Sequence, residues 1–146
     1  LKSVINVNEN QPKVIIEILQ KEVSNLENKC VLVLGLAFKP ETDDVRDSVS
    51  LKLLDLLRDK VKNLAAHDPI ATQNAMKSLG PNTNINFINN WKDYIAHVDV
   101  IIIATNWNEY VEIKSLNAKI SGKVLLDTRS LFVASELPNL TYLSVN

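Results

Sequence analysis

The stretch VLVLGLAFKPETDDVRDS, residues 31–48, decides how this chain folds. Residues 30–34 form a short apolar run that ends at Gly35. A run without polar alternation is typical of a strand buried on both faces of a parallel sheet. A charged loop follows, and Ser48 can then cap a helix over 48–57, in which leucines recur at helical spacing. The stretch therefore predicts a strand, a long charged loop and a helix, in that order.

The same alternation continues along the rest of the chain. Strands are predicted at 30–34, 63–66, 85–88, 99–104, 123–126 and 141–145, the last as an edge strand, and helical segments at 14–26, 48–57, 71–79, 91–97 and 110–120. Pro12 is expected to start or kink the first helix, because proline has no N–H to donate. This alternation predicts an α/β fold: a Rossmann-like, doubly wound and mainly parallel sheet flanked by helices.

Composition limits the class of protein. The 146 residues suit one domain, and a net charge of -1 gives no reason to expect nucleic acid or a membrane as a partner. The single cysteine, Cys30, excludes an internal disulfide and a multi-thiolate metal site, and makes a reducing cytoplasm the expected compartment. The first residues lack the pattern of a signal peptide and begin without Met, so the sequence is expected to start inside a longer protein.

A ligand site is expected beyond the carboxyl ends of the strands, where the strand order reverses. The glycine-rich dinucleotide fingerprint is missing there, since only Gly35 stands for its three glycines. Instead, Lys39 and Arg46 follow the first strand, and Arg129 follows the strand at 123–126. Lysine binds phosphate as a point charge and arginine binds it bidentately. The sequence therefore predicts a diphosphate site on this rim, without visible catalytic machinery.

Structural interpretations of the same loop residues compete with this one. Lys39 and Arg46 could form a solvated salt-bridge cluster with Asp43 and Asp44, and spacing alone gives that possibility equal weight. The two aspartates are more typical of loop bracing or a helix start than of paired catalytic carboxylates. Asp68 precedes a proline and is interpreted as a turn residue.

The remaining reactive side chains are interpreted as structural. Cys30 begins a buried strand, where a thiol behaves as a small hydrophobe. His67 and His97 lack neighbouring ligand residues, so no metal site is predicted. Trp91 and Trp107 are interpreted as packing residues, with contact between Trp107 and a ligand left open.

Several ordered segments resemble the signature of the C-terminal, UDP-binding domain of the UDP-glucose/GDP-mannose dehydrogenase family. These segments are GLAFKP at 35–40, TDDVRDS at 42–48, DPIA at 68–71, ATNWNEY at 104–110 and DTRS at 127–130. Residues 6–19 resemble the end of the long central helix that joins the two halves of the family's proteins. The resemblance covers nearly the whole chain and implies a Rossmann-like domain preceded by part of that linking helix.

The resemblance also implies a division of labour. Residues 1–27 would be the end of the linking helix, and residues 28–146 the C-terminal nucleotide-sugar-binding domain. Members of the family oxidise the C6 hydroxyl of a nucleotide sugar to a carboxylate with two NAD molecules, which an N-terminal domain binds. The catalytic cysteine lies in a Gly-rich segment that this sequence lacks, and both features are expected to belong to the other half of the family's proteins. No catalytic residue is therefore expected here, and the isolated domain is expected to be inactive. The implied partners are a UDP-sugar, the protein's own NAD-binding domain and a second copy in a homodimer.

Four positions carry over by resemblance. Phe38 and Lys39 match residues that contact the nucleotide and the sugar-phosphate side of the substrate. Arg129 matches an arginine of the nucleotide-sugar site, and Arg46 matches an arginine that reaches the NAD side. The motifs are most similar to those of UDP-glucose 6-dehydrogenases. The UDP-N-acetylmannosamine and GDP-mannose branches remain alternatives, as does a stand-alone nucleotide-binding or assembly module.

The chain departs from the family pattern beside Arg129. Thr128 stands where the family has glycine, and Ser130 stands where it has asparagine. A side chain at position 128 bears on the backbone of this loop, and so on the direction in which Arg129 points.

Overall fold

The structure, a computed structural model, describes residues 2–145, and of residues 2–10 only the backbone. The strands are β1 (Cys30–Leu34), β2 (Asn63–His67), β3 (Ile85–Phe87), β4 (Val100–Ile103), β5 (Val124–Asp127) and β6 (Thr141–Ser144). The α-helices are α1 (Lys2–Glu22), α2 (Val49–Leu57), α3 (Thr72–Leu79) and α4 (Trp91–Tyr94). Short 3-10 helices span Leu26–Asn28, Ile95–His97, Asn108–Leu116 and Ala134–Glu136.

The strands form one parallel sheet in the order β3-β2-β1-β4-β5-β6. This is the doubly wound Rossmann order, so the predicted fold class is confirmed. β1 pairs with β2 on one side and β4 on the other, which puts the reversal of strand order between β1 and β4. A ligand is therefore expected outside the carboxyl ends of these two strands.

Each face of the sheet carries its own hydrophobic core. Successive residues of β1 alternate between them: Val31 and Val33 belong to one core, Leu32 and Leu34 to the other. Helices α1, α2 and α3 cover the first core, and α4 with the long 3-10 helix covers the second. Burial on both faces explains why β1 and β4 read as continuous apolar runs.

Two predictions about helices are wrong in part. Pro12 does not start the first helix, because α1 runs from Lys2 to Glu22 through it. The segment predicted as a helix at 110–120 is a 3-10 helix over Asn108–Leu116. Its inward residues, Tyr110, Ile113 and Leu116, recur every three positions, which matches the three residues per turn of a 3-10 helix.

Helix α1 is packed against the body of the domain. Ile15 and Leu19 are fully buried in the same core as α2, and α1 and α2 lie in direct contact. None of the helices within residues 2–145 has the combination of length and apolar content that a membrane crossing requires.

Candidate functional site

Gly35 ends β1 in a conformation that suits only glycine. Its φ is 102°, and a Cβ at this position would lie 2.4 Å from Thr105 Cβ and 2.5 Å from Thr105 N. The close approach brings the β1 and β4 loops together, and the Thr105 hydroxyl donates a 2.8 Å hydrogen bond to the Ala37 carbonyl. The glycine that the sequence retained is thus needed for packing at the point where the strand order reverses.

Asp68, which follows β2, binds the backbone of the β1 loop. One carboxylate oxygen accepts hydrogen bonds from Leu36 N at 2.8 Å, Ala37 N at 3.0 Å and Trp107 Nε1 at 3.0 Å. The other oxygen accepts from the next turn of its own chain, through Ile70 N and Ala71 N. The turn role predicted for Asp68 is therefore confirmed, but this buried carboxylate also joins the loops after β1 and β4.

These contacts decide whether this chain can hold a dinucleotide after β1. In dinucleotide-binding folds the pyrophosphate lies against backbone amides at this turn and at the start of the next helix. Here Asp68 already occupies the amides of Leu36 and Ala37. Helix α2 begins only at Val49 and is capped by Ser48. The residues present do not fit an NAD pyrophosphate at this turn, which agrees with the missing fingerprint.

The β1–α2 loop presents Phe38 and Lys39 to solvent. Phe38 is 51% exposed, although aromatic side chains usually lie inside, and Lys39 is exposed beside it. The loop is closed at its base, because Phe38 N donates a 2.8 Å hydrogen bond to the Asp44 carbonyl. Within residues 11–145, no carboxylate lies within ion-pair distance of Lys39. Its ammonium group is available to a ligand.

Arg46 is held by Asp44 in a bidentate pair. Arg46 Nε and Nη2 donate to the two carboxylate oxygens at 3.0 and 2.9 Å. These hydrogen bonds lower the pKa of Asp44 to about 2, so the pair stays ionised at neutral pH. Asp44 therefore braces Arg46 as predicted, whereas Ser48 rather than either aspartate caps α2. The Arg46 side chain remains 88% exposed and lines a recess with Phe38.

Arg129 extends from the loop after β5 towards the end of β4. Its Nε donates a 2.9 Å hydrogen bond to the Ala104 carbonyl, and the residue is exposed. Asp127, fully buried, accepts from Arg129 N, Phe132 N and the Tyr142 hydroxyl and so fixes the start of the loop.

The two departures from the family pattern differ in their effect on this loop. Thr128 keeps a negative φ and donates a 2.7 Å hydrogen bond to the Ile103 carbonyl, so the backbone does not need glycine here. Ser130 takes the left-handed conformation, with φ at 54°, which asparagine adopts more readily than serine.

The four predicted site residues all follow strands on one edge of the sheet. Phe38, Lys39 and Arg46 lie in the loop after β1, and Arg129 lies in the loop after β5, two strands away. Neighbouring strands are spaced by about 4.8 Å, so the ends of β1 and β5 are about 10 Å apart. Arg129 does not line the recess that Phe38 shares with Arg46.

Sequence reasoning missed the central position of Asp68, and it left open whether Trp107 contacts a ligand. Trp107 is 6% exposed and donates to Asp68, so it is a packing residue. The signal for Asp68 was a carboxylate directly after a buried apolar strand, where a charge needs several hydrogen-bond donors. Within the described residues, His, Cys, Asp and Glu form no group of three that could hold a metal ion.

His67, at the end of β2, forms a buried polar pair with Tyr110. His67 Nδ1 lies 3.0 Å from the Tyr110 hydroxyl, which is also 3.2 Å from the His67 carbonyl oxygen. Burial lowers the pKa of His67 below its ordinary value of 6.5, although Glu109 and Asp68 oppose the shift. The folded domain therefore holds this imidazole neutral.

This pair predicts acid sensitivity. As pH falls below 6.5, the unfolded chain binds a proton at His67 that the folded chain resists, so the free energy of unfolding decreases. This one group changes the free energy of unfolding by at most about 1.4 kcal/mol per pH unit. The free energy of unfolding, measured in urea at several pH values between 5 and 7, should depend less on pH in His67→Gln than in the wild type. His97→Gln, at an exposed position, is the matched control for the loss of a histidine.

The strand order and the exposed cations beside its reversal define a Rossmann-like domain suited to binding phosphate. A family model described as "UDP-glucose/GDP-mannose dehydrogenase family, UDP binding domain" matches residues 32–134. The chain belongs to this family and corresponds to its UDP-binding domain. The family resemblance drawn from the motifs is thereby confirmed.

Known relatives agree with this assignment. UDP-glucose 6-dehydrogenase AglM of Haloferax volcanii is 32% identical over 136 residues, which are 93% of this chain. UDP-glucose 6-dehydrogenase TuaD of Bacillus subtilis is 30% identical over 145 residues, or 98% of this chain. The structure of a UDP-glucose dehydrogenase from Pyrobaculum islandicum superposes with a TM-score of 0.79 at 31% identity over 97% of this chain. The chain spans 31% of the length of each of these proteins.

Proposed function

We propose that this chain anchors the UDP part of the substrate in an NAD-dependent UDP-glucose 6-dehydrogenase, which converts UDP-glucose to UDP-glucuronate. The observation that carries the proposal is that the loops after β1 and β5, on the edge of the sheet where the strand order reverses, present Lys39 and Arg129 to solvent. Relatives named UDP-glucose 6-dehydrogenase match more than nine-tenths of the chain, which supports UDP-glucose as the substrate.

The proposed roles follow the chemistry of each side chain. Lys39 supplies a point charge to the diphosphate, and Arg129 supplies the free edge of its guanidinium. Phe38 offers an exposed ring on which part of the nucleotide can pack. Anchoring the diphosphate, remote from C6, orients the reacting carbon and leaves the chemistry to groups outside these loops.

The cofactor is proposed to belong to another domain of the whole enzyme. The β1 loop does not fit a dinucleotide, whereas Arg46 is exposed and stands at the edge of the site. We propose that Arg46 contacts NAD held by the N-terminal domain, with Asp44 keeping its guanidinium in place. The chain by itself is then inactive, because the oxidation needs the cysteine and NAD of that domain.

The domain division and the assembly are also proposals. We propose that residues 1–27, of which α1 covers Lys2–Glu22, are the linking part and that residues 28–146 are the nucleotide-sugar-binding domain. The side of α1 that faces α2 is buried in the domain core, which supports a rigid junction between the two parts. The whole enzyme is proposed to be a homodimer, and the cytoplasmic location stays a prediction.

Titration calorimetry with UDP tests the anchoring function. Lys39→Ala and Arg129→Ala should each weaken UDP binding by about 10- to 100-fold, because each removes a charge-assisted hydrogen bond worth about 1.5–3 kcal/mol. UMP should bind less tightly than UDP, since the second phosphate is a main contact. GDP tested in parallel separates the UDP-sugar branches from the GDP-mannose branch.

Two variants at the opposite end of the sheet serve as controls. Lys62 precedes β2, and Arg58 follows α2, where it pairs with Asp55. Lys62→Ala and Arg58→Ala each remove one positive charge, as the site variants do, and should leave UDP affinity unchanged. Absence of any UDP binding by the folded wild-type domain at millimolar concentration would refute the proposal.

A further inference from the structure

Asp68 is linked by short paths to both cationic side chains of the proposed site. On one side it accepts from Ala37 N, and Lys39 follows two residues later in the same loop. On the other side it accepts from the indole N–H of Trp107, in the loop whose first carbonyl, that of Ala104, receives the Arg129 guanidinium. The Asp68 carboxylate is therefore hydrogen-bonded to the loop that carries Lys39 and to the loop that accepts the hydrogen bond from Arg129.

The burial of Asp68 and its many hydrogen bonds fix the two loops relative to each other. The residue is only 4% exposed, and within residues 11–145 no cation lies within ion-pair distance of its carboxylate. Five N–H groups hold the carboxylate instead, and three of them converge on one oxygen. A buried carboxylate with this many donors fixes their relative positions, since any donor that moves away leaves the charge less well satisfied.

The position of Asp68 has a chemical meaning as well. The amides of Leu36 and Ala37 follow the first strand, at the turn where a dinucleotide-binding domain receives its phosphate. The Asp68 carboxylate binds these two amides where a phosphate would bind in such a domain. The loop is thus organised before any ligand arrives, with Leu36 and Ala37 buried and Lys39 exposed.

We propose that Asp68 is a positioning residue of the UDP site. Its carboxylate stands in for a phosphate at the end of β1 and holds the β1 and β4 loops at the spacing at which Lys39 and Arg129 share one diphosphate. The inference rests on the proposed function, because it assigns to Asp68 the geometry of that same site. It predicts that UDP affinity depends on a residue that does not touch UDP.

Chemical rescue of Asp68→Ala tests the proposal. The substitution leaves a cavity the size of a carboxylate, lined by N–H donors, which formate can enter. We expect the folded variant to bind UDP at least tenfold more weakly than the wild type. Sodium formate at tens of millimolar should restore most of that affinity, whereas sodium chloride at equal ionic strength should not. Formate should leave wild-type affinity unchanged apart from the same salt effect.

Asp99→Ala is the matched control for a merely structural carboxylate. Asp99 also accepts a backbone N–H, that of Cys30 at 2.9 Å, but at the opposite end of β1. Its removal should lower the midpoint of thermal unfolding without changing UDP affinity in folded protein. Wild-type affinity in folded Asp68→Ala, or weakened binding that formate does not restore, would overturn the positioning role. Failure of the wild type to bind UDP would instead overturn the proposed function.

Asp68→Asn keeps the test decisive when the alanine variant does not fold. The amide fills the cavity, but in either orientation its NH2 group opposes at least two of the five N–H donors. We expect UDP affinity to fall at least threefold, and formate to have no effect because no space is left for it. An unchanged dissociation constant for folded Asp68→Asn would contradict the proposal.

Discussion

Gly35→Ala is expected to cost about 4 kcal/mol or more of folding free energy, a large part of the roughly 5–15 kcal/mol by which a domain of this size is stable. The added methyl would lie 2.4–2.6 Å from three atoms of Thr105, one of which is its backbone nitrogen. A side-chain atom could turn away, but a backbone atom at the end of β4 moves only with its strand. The left-handed φ adds about 1–2 kcal/mol to this cost.

Gly122→Ala separates the two contributions. Gly122 also has a positive φ, 82°, but a Cβ there has no atom within 4 Å. This variant therefore carries only the conformational cost of about 1–2 kcal/mol. Urea unfolding of both variants, followed by circular dichroism, gives the packing cost as the difference between them. Equal losses of stability would show that the contact between the β1 and β4 loops is looser than the structure has it.

Truncation of Thr105 should not rescue Gly35→Ala. Thr105→Ala removes the hydroxyl and its 2.8 Å hydrogen bond to the Ala37 carbonyl, but it leaves the Cβ and the backbone nitrogen in place. The double variant is therefore expected to be no more stable than Gly35→Ala alone. The glycine is required by the path of the backbone, not by one neighbouring side chain.

The fold could be predicted from the sequence because its strongest signals are local. β1 and β4 are uninterrupted apolar runs, and Ser48 caps α2 through its hydrogen bond with Ser50 N, as predicted. Asp44 and Arg46 are two positions apart, so bracing of one by the other could also be anticipated. Interactions between residues that are close in sequence can be predicted without a structure.

The part that sequence reasoning missed depends on distant contacts. The Asp-Pro pair at 68 predicted a local turn, and that turn is present. The other donors to Asp68 are Leu36, Ala37 and Trp107, which lie 31–39 positions away along the chain. No periodicity or motif spacing relates such positions before the strand order is known. The order β2-β1-β4 is what brings the three loops side by side.

Asp127→Asn is expected to lose about 2–4 kcal/mol of folding free energy and to weaken UDP binding as well. The fully buried carboxylate accepts from Arg129 N through one oxygen, and from Phe132 N and the Tyr142 hydroxyl through the other. In the amide, one of these positions becomes an NH2 group. Either orientation therefore sets a donor against a backbone N–H that has lost its acceptor.

Tyr142→Phe identifies which part of this loss comes from the backbone donors. Burial, and next the hydrogen bond to Asp127, raise the pKa of the Tyr142 hydroxyl, so it remains a donor at any pH the domain tolerates. Its removal should cost about 1.5–3 kcal/mol, the value of one hydrogen bond to a charged group. Because the Arg129 backbone N–H keeps its acceptor, UDP affinity should stay close to that of the wild type.

The comparison of these two variants in urea unfolding and UDP titration tests whether the Asp127 carboxylate at the end of β5 holds the Arg129 loop in place. Asp127→Asn takes the acceptor from a backbone N–H of the Arg129 loop, that of Arg129 or of Phe132, while Tyr142→Phe releases only a neighbouring strand. A loss of UDP affinity confined to Asp127→Asn means that the strand-end carboxylate sets the position of the arginine. Equal affinity in both variants would mean that the 2.9 Å hydrogen bond from Arg129 Nε to the Ala104 carbonyl suffices to hold the side chain.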